Sequence, residues 1–305
     1  MQHNKTCVVL GGSGFVGRRL INQLCDAGYS VRVPTRNRET SRSLLVIPRV
    51  KVVTADIHDA DRLHEVIAGA DVVINLVGIL NERGHHRGRG FYVAHQELTE
   101  SIIAACIAQG VPRLLQMSAL KADPKGPSDY LKSKGLAEQA LRKVDTGQLA
   151  WTIFQPSVIF GPADSFMNRF AGLLKIAPVM PLAKPNARFA PVYVGDVVAG
   201  FMRALRDDAT IGKRYQMCGP RVYSLRELVR YVAEQLQLKR WIVGLPDPVA
   251  KLQARIFDFV PGKPLSTDNL RSLSVHSICD ANGLAALGIT PTPMEAIVPG
   301  YLTSD

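Results

Sequence analysis

The stretch Cys7-Val8-Val9-Leu10-Gly11-Gly12-Ser13-Gly14-Phe15-Val16-Gly17 decides the fold, because a short apolar run passes directly into a glycine-rich turn. Gly12, Gly14 and Gly17 fit Gly-x-Gly-x-x-Gly, and helical periodicity follows. Such a turn lets the backbone approach a pyrophosphate, and the helix N-terminus adds free N–H donors. The stretch therefore predicts a dinucleotide-binding loop. Its predicted members are Gly11, Gly12, Ser13, Gly14, Phe15, Val16 and Gly17.

Outward from this loop, strand-like and helix-like stretches alternate through the first half of the chain. The strand-like runs are short and mostly rich in Val, Ile and Leu, which is typical of strands buried on both faces. This order predicts an α/β fold, a doubly wound parallel sheet with right-handed crossovers. The predicted strands are residues 7–10, 30–33, 50–53, 72–76, 113–117 and 151–155, and the predicted helices are 14–27, 59–68, 96–109 and 132–141.

The rhythm changes after about residue 161, where five prolines fall within the next 30 residues and exclude one long helix. A strand at 191–194 and helices at 197–205 and 225–236 follow. We therefore predict a dinucleotide-binding core at 1–160, completed by about 191–218. Residues 161–190 and 219–305 are predicted to form a small C-terminal cap.

Composition excludes several classes of protein. The 305 residues are 47% hydrophobic and 21% charged, so the chain is not disordered. Apolar runs are too short for a membrane span, and the start leaves no room for a leader, so we expect a cytoplasmic protein. Five scattered cysteines without a Cys-x-x-Cys pair argue against a disulfide framework and against zinc, and no metal site is predicted.

The net charge of +11 is the unusual number in the composition. It favours a phosphate-rich partner, namely a nucleotide, a membrane surface or nucleic acid, although a basic enzyme without such a partner is equally compatible. Since the chain shows neither a basic recognition helix nor an aromatic RNA platform, nucleic acid is not expected.

The end of the second predicted strand selects the cofactor. An NAD site places a carboxylate there to bind the ribose 2′-hydroxyl, whereas Arg36 and Arg38 offer two cations for a 2′-phosphate. We therefore predict NADP(H) rather than NAD(H). Asp56, followed by Ile57 after the third strand, is placed either to accept the adenine amino group or to cap the next turn.

Several further motifs resemble the extended and atypical short-chain dehydrogenase/reductases. These are Asn75-Leu76-Val77-Gly78 after the fourth strand, Met117-Ser118-Ala119-Leu120 after the fifth, Tyr130-x-x-x-Lys134, and Gln155-Pro156-Ser157-Val158-Ile159-Phe160-Gly161. The resemblance implies a Rossmann-type fold. It also implies that Leu76, Val77, Gly78, Ser118, Tyr130, Lys134, Pro156, Ser157 and Ile159 meet the cofactor.

The same resemblance implies catalytic roles for Tyr130, Lys134 and Ser118. The tyrosine is the general acid/base of that mechanism, and the lysine lowers its pKa and holds the nicotinamide ribose. Two departures weaken this reading. Ala119 stands where extended members carry a hydroxyl, and His95 stands where many members carry an Asn that serves a proton relay.

Within that family the motifs most resemble the nucleotide-binding alpha subcomplex subunit 9 of respiratory complex I and its bacterial relatives. This resemblance implies tightly bound NADPH, a structural or assembly role, and complex I or the inner-membrane surface as partner. The alternative is an active NADPH-dependent reductase or epimerase/dehydratase that acts on a small carbonyl or nucleotide-sugar substrate through Tyr130 and Lys134.

Two basic features stay open at this point. The loop at 83–89 is dense in cations and glycine. Two interpretations stay open: the loop binds an acidic partner, or it is a solvated loop without a ligand. Residues 248–260 place Val249, Leu252, Ile256 and Val260 on one helical face with Lys251 and Arg255 toward another side. Such a helix lies against a membrane surface or a partner, or it packs on its own core.

Overall fold

The computed structural model describes residues 5–82, 88–260 and 265–302. Most of the predicted basic loop at 83–89 therefore lies outside the described residues. The strands are β1 (Thr6–Leu10), β2 (Ser30–Thr35), β3 (Val50–Thr54), β4 (Val72–Asn75), β5 (Arg113–Met117), β6 (Ala150–Pro156), β7 (Ile159–Phe160), β8 (Val179–Leu182), β9 (Arg188–Phe189), β10 (Val192–Tyr193), β11 (Lys213–Met217), β12 (Tyr223–Ser224) and β13 (Trp241–Gly244).

Thirteen α-helices are assigned within these described ranges. They are α1 (Phe15–Asp26), α2 (Arg42–Leu45), α3 (Ala60–Ile67), α4 (Arg89–Tyr92), α5 (Leu98–Ala108), α6 (Asp129–Arg142), α7 (Phe166–Ile176), α8 (Val194–Ala204), α9 (Leu225–Gln235), α10 (Asp247–Phe257), α11 (Thr267–Ser272), α12 (Gly283–Ala286) and α13 (Pro299–Leu302). One turn of π-helix, Val93–Glu97, joins α4 to α5.

Seven parallel strands form the central sheet in the order β3-β2-β1-β4-β5-β6-β11. Helices α1, α8 and α12 cover one face, and α3, α5 and α6 cover the other. The predicted doubly wound parallel sheet is confirmed. The strand order reverses between β1 and β4, which is where such sheets bind ligands beyond their carboxyl ends.

Local signals set the element boundaries in this sheet. Asp59 accepts hydrogen bonds from the backbone N–H groups of Asp61 and Arg62 and so caps α3. Gly28 and Gly110 follow α1 and α5 with φ of 91° and 64°, which a residue without a Cβ adopts at little cost. The six predicted strands agree with the observed ones to within about two residues at each end.

The C-terminal half supplies a second apolar core and three small strand pairs. Strand β8 pairs with β13 in parallel, β10 pairs with β7 in parallel, and β9 pairs with β12 in antiparallel fashion. Helices α7 and α9 contribute half of the buried side chains of this core. The proposed division into a core and a cap stays a prediction, because a second core does not by itself fix a domain boundary.

The sequence argument against disulfides was wrong. Cys218, directly after β11, is bonded to Cys279, and their Cα atoms lie 6.0 Å apart. The partners are 61 residues apart in the chain, so no local spacing pattern could reveal the pair. The bond ties a C-terminal segment to the last strand of the main sheet.

Candidate nucleotide site

The glycine-rich loop has a conformation that side chains would disrupt. Gly11 has a φ of 76°, and a Cβ on Gly17 would lie 2.5 Å from the carbonyl oxygen of Gly12. A Cβ on Gly12 would lie 2.9 Å from the Val33 side chain. Each of these contacts is shorter than packed atoms tolerate, so the loop lies as close to α1 and β2 as a backbone can.

The start of α1 is open to a ligand. Gly14 is the N-cap of the helix, it is exposed, and it offers no side-chain capping group to the first N–H groups. Ser13 and Phe15 are half-buried, whereas Val16 is buried in the sheet core. A pyrophosphate therefore fits this cradle, since its oxygens would meet unused backbone donors at the positive end of the helix dipole.

Arg36 and Arg38 lie in the exposed turn that follows β2. The Thr35 hydroxyl stiffens this turn, because it donates to the Asn37 carbonyl oxygen at 3.0 Å. Glu39 forms an ion pair with Arg42. Within the described ranges, neither Arg36 nor Arg38 forms an ion pair, so both guanidinium groups remain available.

Asp56 and Ile57 follow β3 at the same edge of the sheet. One carboxylate oxygen of Asp56 accepts from the His58 N–H at 3.1 Å, which is the turn-capping role named above. The carboxylate is exposed, and Ile57 is half-buried against the core. The contact with His58 uses one oxygen and leaves the adenine role a prediction.

The turn after β4 packs directly against the glycine loop. Asn75 shapes it, since its Oδ1 accepts from the Val77 N–H at 3.0 Å while its amide donates to Gln116. A Cβ on Gly11 would lie 3.1 Å from the backbone of both Leu76 and Val77. The structure thus brings Leu76 and Val77 next to the loop, as the predicted site requires.

Lys134 joins the carboxyl ends of β4 and β5. Its side chain is buried, and its ammonium donates to the carbonyl oxygens of Val77 at 3.1 Å and Met117 at 3.3 Å. The ammonium also lies 3.3 Å from where a Cβ of Gly78 would be. Burial lowers the pKa of Lys134 to about 8, and the nearby Glu138 carboxylate offsets part of that effect. The lysine fixes both turns relative to α6.

Glu138, one helical turn beyond Lys134, is a buried carboxylate that the sequence reading missed. Gln155 donates to both of its oxygens, at 2.8 and 3.0 Å, and Arg214 approaches to 3.4 Å. Burial raises its pKa, while the nearby Ser118 hydroxyl, Gln155 and Arg214 counteract the rise. Ser118 is buried and faces this carboxylate without a well-aligned hydrogen bond. The spacing Lys-x-x-x-Glu on one helix was the available signal.

Tyr130 lies in an aromatic pocket at the start of α6. The rings of Phe91 and His95 meet it edge-on, with centroids 6.1 and 5.6 Å away. Burial, reinforced by the Asp268 carboxylate, raises the pKa of Tyr130 to about 12. The expected effect of Lys134 was the opposite. The shift is upward because desolvation and a neighbouring anion both penalise the phenolate.

His95 forms a closed hydrogen-bond chain in the π-helical turn. Its Nε2 accepts from the Ile79 N–H at 3.1 Å, so the ring proton belongs on Nδ1, which contacts the Ser133 hydroxyl at 2.8 Å. That hydroxyl donates to the Tyr130 carbonyl oxygen at 2.9 Å. Burial and Lys134 lower the pKa of His95 to about 2, so the ring is neutral and positions the start of α6.

A short C-terminal helix closes over the start of α6. The Asp268 carboxylate accepts from the backbone N–H groups of Asp129 at 2.7 Å and Tyr130 at 3.2 Å. Asn269 donates to the Leu80 carbonyl oxygen at 3.0 Å, so the same helix also holds the turn after β4. These partners are 138 to 189 residues apart in the chain, and no sequence motif predicted these contacts. We call this contact between α11 and α6 the cap latch.

Pro156, Ser157 and Ile159, which the resemblance places against the cofactor, have different surroundings in the structure. Pro156 ends β6 beside Met217, and Ile159 in β7 is half-buried beside Val192. The buried Ser157 donates to the Ser277 carbonyl oxygen at 2.8 Å. Its hydroxyl is therefore engaged by the C-terminal segment.

No group of three or more His, Cys, Asp or Glu side chains in the described part of the chain is arranged to hold a metal ion. Among the helices in those same ranges, none is long and apolar enough to cross a membrane.

Sequence comparisons agree with this geometry. The profile of a family described as NAD(P)H-binding matches residues 11–164. A mitochondrial protein of Arabidopsis thaliana named NADH dehydrogenase [ubiquinone] 1 alpha subcomplex subunit 9 is 32% identical over 294 residues, which cover 90% of this chain and 71% of that protein. A Caulobacter vibrioides protein named ceramide reductase is 28% identical over 79% of this chain and 73% of its own length.

A solved structure matches the fold. A dTDP-glucose 4,6-dehydratase from Streptomyces venezuelae, with NAD bound, superposes with a TM-score of 0.74. The match covers 97% of this chain and 95% of the dehydratase. At 19% sequence identity, this similarity establishes the shared architecture and no more.

Proposed function

We propose, since this chain belongs to the NAD(P)H-binding family and is a homologue of the NADH dehydrogenase alpha subcomplex subunit 9, that it binds NADP(H) tightly and holds it as a structural group. The bound dinucleotide would supply a nicotinamide able to carry hydride. The residues of this chain then bind it, orient it and keep the surrounding turns in place.

The preference for NADP(H) rests on the turn after β2. Arg36 and Arg38 are exposed there, and the nearby Glu39 is engaged by Arg42. A carboxylate in that turn would favour a ribose 2′-hydroxyl, whereas two available guanidinium groups favour a 2′-phosphate through charge-assisted hydrogen bonds.

The observation that carries the structural role is the surroundings of Tyr130. A tyrosine that transfers protons near neutral pH needs a lowered pKa, but burial and Asp268 raise the pKa of this one to about 12. The cap latch brings that carboxylate to the start of α6. Ala119, without a hydroxyl, and the neutral His95 remove two further parts of a proton-transfer site.

We further propose that the chain associates with a respiratory NADH dehydrogenase at the cytoplasmic face of the inner membrane. The support is that the Arabidopsis thaliana relative, which this chain matches over 71% of its length, is named as a subunit of an NADH dehydrogenase. Recovery of NADH dehydrogenase subunits with the tagged chain from membranes, and their absence with an unrelated Rossmann-fold protein, is the expected result.

An active NADPH-dependent reductase or epimerase/dehydratase is the second candidate. Tyr130 and Lys134 lie one turn apart on α6, and a relative at 28% identity is named a reductase. In that case Tyr130 would serve as acid/base for a carbonyl or nucleotide-sugar substrate. The raised pKa of Tyr130 makes this the weaker candidate.

Purification followed by absorbance and mass spectrometry of the released ligand separates the two candidates. We expect NADPH to copurify and to stay reduced when the protein is exposed to panels of carbonyl compounds and nucleotide sugars. Turnover that disappears in Tyr130→Phe while NADPH binding is retained would overturn the structural role and leave NADP(H) binding intact.

Cofactor choice has its own test in Arg36→Ala. We expect NADPH affinity to fall by about ten- to one-hundred-fold, because a hydrogen bond to a charged group contributes about 1.5–3 kcal/mol. NADH affinity should change little. Arg62→Ala removes an exposed guanidinium from α3, where it pairs with Glu65 at 2.8 Å, and serves as the control. Equal losses for both nucleotides in Arg36→Ala would refute the 2′-phosphate role.

A further inference from the structure

One surface of the C-terminal half is apolar and exposed, and the nucleotide site does not use it. It combines the outer sides of β8 and β13 with the outer side of α10. We call it the cap apolar face. Its members are Val179, Pro181, Trp241, Val243, Val249, Leu252 and Ile256.

The strand part of this face is continuous across the two paired strands β8 and β13. In β8 the exposed Val179 and Pro181 alternate with the buried Met180 and Leu182. The register places Trp241 beside Val179 and Val243 beside Pro181. Because side chains two residues apart share one side of a strand, these four form a single apolar patch.

The helix part adjoins that patch. Ala250 and Ala254 pack α10 onto a small buried cluster, and this leaves Leu252 and Ile256 outward with 59% and 55% exposure. Pro181 of β8 lines the same groove as Val249, Leu252 and Ile256. The strand patch and the helix face are therefore one surface. The amphipathic pattern at 248–260 is thus resolved: the helix buries its alanines and exposes its larger apolar residues.

The charged groups at α10 leave a net positive charge, because Lys184, Lys251 and Arg255 outnumber Asp247 and Asp258. Lys251 and Arg255 are exposed on α10, and neither forms an ion pair within the described ranges. The acid at the start of the helix, Asp247, is paired with Lys184 at 2.7 Å. The acid after its end, Asp258, accepts from the Thr267 N–H at 3.1 Å. Asp247 is therefore paired, Asp258 keeps its charge beside neutral donors, and the two cations Lys251 and Arg255 face solvent.

We infer that the cap apolar face docks on an anionic lipid bilayer. A helix with outward apolar side chains and flanking cations lies in the plane of a membrane interface, where the cations meet lipid phosphates and the apolar groups enter the acyl boundary. Trp241, 76% exposed beside the helix, is the side-chain type that membrane interfaces hold. A second copy of the chain fits less well, because it would place the same cations opposite one another.

Tryptophan fluorescence measures this docking directly. The chain has two tryptophans, of which Trp151 is 6% exposed and Trp241 is 76% exposed. We expect a blue shift with vesicles of phosphatidylcholine containing about 30 mol% phosphatidylglycerol, and none with phosphatidylcholine alone. Trp241→Phe should abolish the shift. A shift of equal size in Trp241→Phe, or no shift in the native protein, would overturn the proposal.

Vesicle cosedimentation separates the apolar contribution from the electrostatic one. Leu252→Ser with Ile256→Ser should lower the partition coefficient by about tenfold or more, because two buried apolar groups are lost. Lys251→Glu with Arg255→Glu should do the same at low salt, and about 0.5 M NaCl should weaken binding of the native protein. All of these changes are on exposed positions, and circular dichroism checks that each variant folds.

Matched controls decide whether location matters. Val46→Ser removes an apolar side chain that is 82% exposed on the nucleotide-binding half. Lys51→Glu with Lys213→Glu changes the net charge by the same amount at the two edges of the main sheet. These controls should bind vesicles like the native protein. If they lose binding equally, or if the native protein self-associates through this face and ignores vesicles, the proposal is wrong. Nucleotide binding is measured separately and is not needed for either outcome.

Discussion

The glycine loop and the Tyr130 site lie at the same edge of one sheet, yet they are built in opposite ways. Backbone geometry within residues 11–17 and the neighbouring strands shapes the loop, whose N–H groups are open. The tyrosine site is assembled from π-helix 93–97, helix α6 and the distant helix α11, and the His95 ring and the backbone N–H groups at the start of α6 are hydrogen-bonded within the protein. The loop therefore leaves its backbone donors open, whereas the backbone donors at the tyrosine site have partners from the protein itself.

This difference shows why a complete motif does not imply a complete catalytic site. Tyr130 and Lys134 have the spacing of a dehydrogenase pair. Their surroundings determine their chemistry, because burial lowers the pKa of the lysine to about 8 and raises that of the tyrosine to about 12. Both shifts favour the uncharged forms.

The largest effect is expected from Gly17→Ala in the loop. The new Cβ would lie 2.5 Å from the Gly12 carbonyl oxygen, so the loop must move. We expect NADPH binding to be lost and the free energy of unfolding to fall by about 1–3 kcal/mol, as for overpacked sites. Fluorescence titration and urea unfolding measure the two effects.

Gly172→Ala is the matched control for that substitution. It also changes a helical glycine, but nothing lies within 4 Å of the new Cβ. We expect stability to rise by about 0.5–1 kcal/mol with NADPH affinity unchanged. If Gly17→Ala binds NADPH normally, the loop is not a rigid cradle for the nucleotide.

The next effect concerns the buried ammonium of Lys134. Its pKa falls from the ordinary 10.5 to about 8 on folding, so the unfolded chain binds more protons between those values. Stability contributed by this group therefore rises as the pH increases from about 8 to 10.5. Lys134→Met should raise the free energy of unfolding at pH 7, by up to about 3 kcal/mol, and remove that rise.

Urea unfolding at several pH values, compared with the native protein, checks this prediction. Lys132→Met removes a half-exposed lysine from the same helix and controls for the general loss of one cation. Lower stability of Lys134→Met at pH 7 would mean that the two carbonyl hydrogen bonds outweigh the desolvation of the ammonium.

The smallest effect is expected from Asp268→Asn in the cap latch. An amide has one acceptor oxygen, so one of the two backbone N–H groups at the start of α6 loses its partner. We expect a loss of about 0.5–2 kcal/mol of stability, as for other helix caps. Removing the anion should also lower the pKa of Tyr130 from about 12, which NMR of labelled tyrosine can follow.

Asp61→Asn, an exposed acid in the first turn of α3, is the control for that change. It should leave the Tyr130 titration where it was. If Asp268→Asn also leaves it unchanged, burial alone sets the pKa of Tyr130. The C-terminal helix then has no electrostatic control over the tyrosine site.

Much of the fold and part of the candidate site could be predicted from the sequence. The six strands of the first half were found because buried parallel strands carry short runs of Val, Ile and Leu, and the loop was found because only glycine fits its contacts. Such signals are local, since a few adjacent residues determine them. The roles of the individual site residues stay predictions.

Other features depended on long-range contacts and were missed. The Glu138 carboxylate is held by Gln155 and Arg214, which come from two neighbouring strands of the sheet. Asp268 reaches Tyr130 from 138 residues away, and Ser157 turns toward Ser277 from 120 residues away. The Cys218–Cys279 bond has the same origin.

The sequence by itself determined the parallel sheet, the glycine loop and the pair Tyr130 and Lys134, because hydrophobic periodicity and glycine spacing are read within a single element. The tertiary structure alone decided what surrounds that pair and which face of α10 is exposed. Burial and the charges of distant neighbours set the pKa of each group. The pKa of Tyr130, about 12, is therefore a property of the folded chain rather than of the motif.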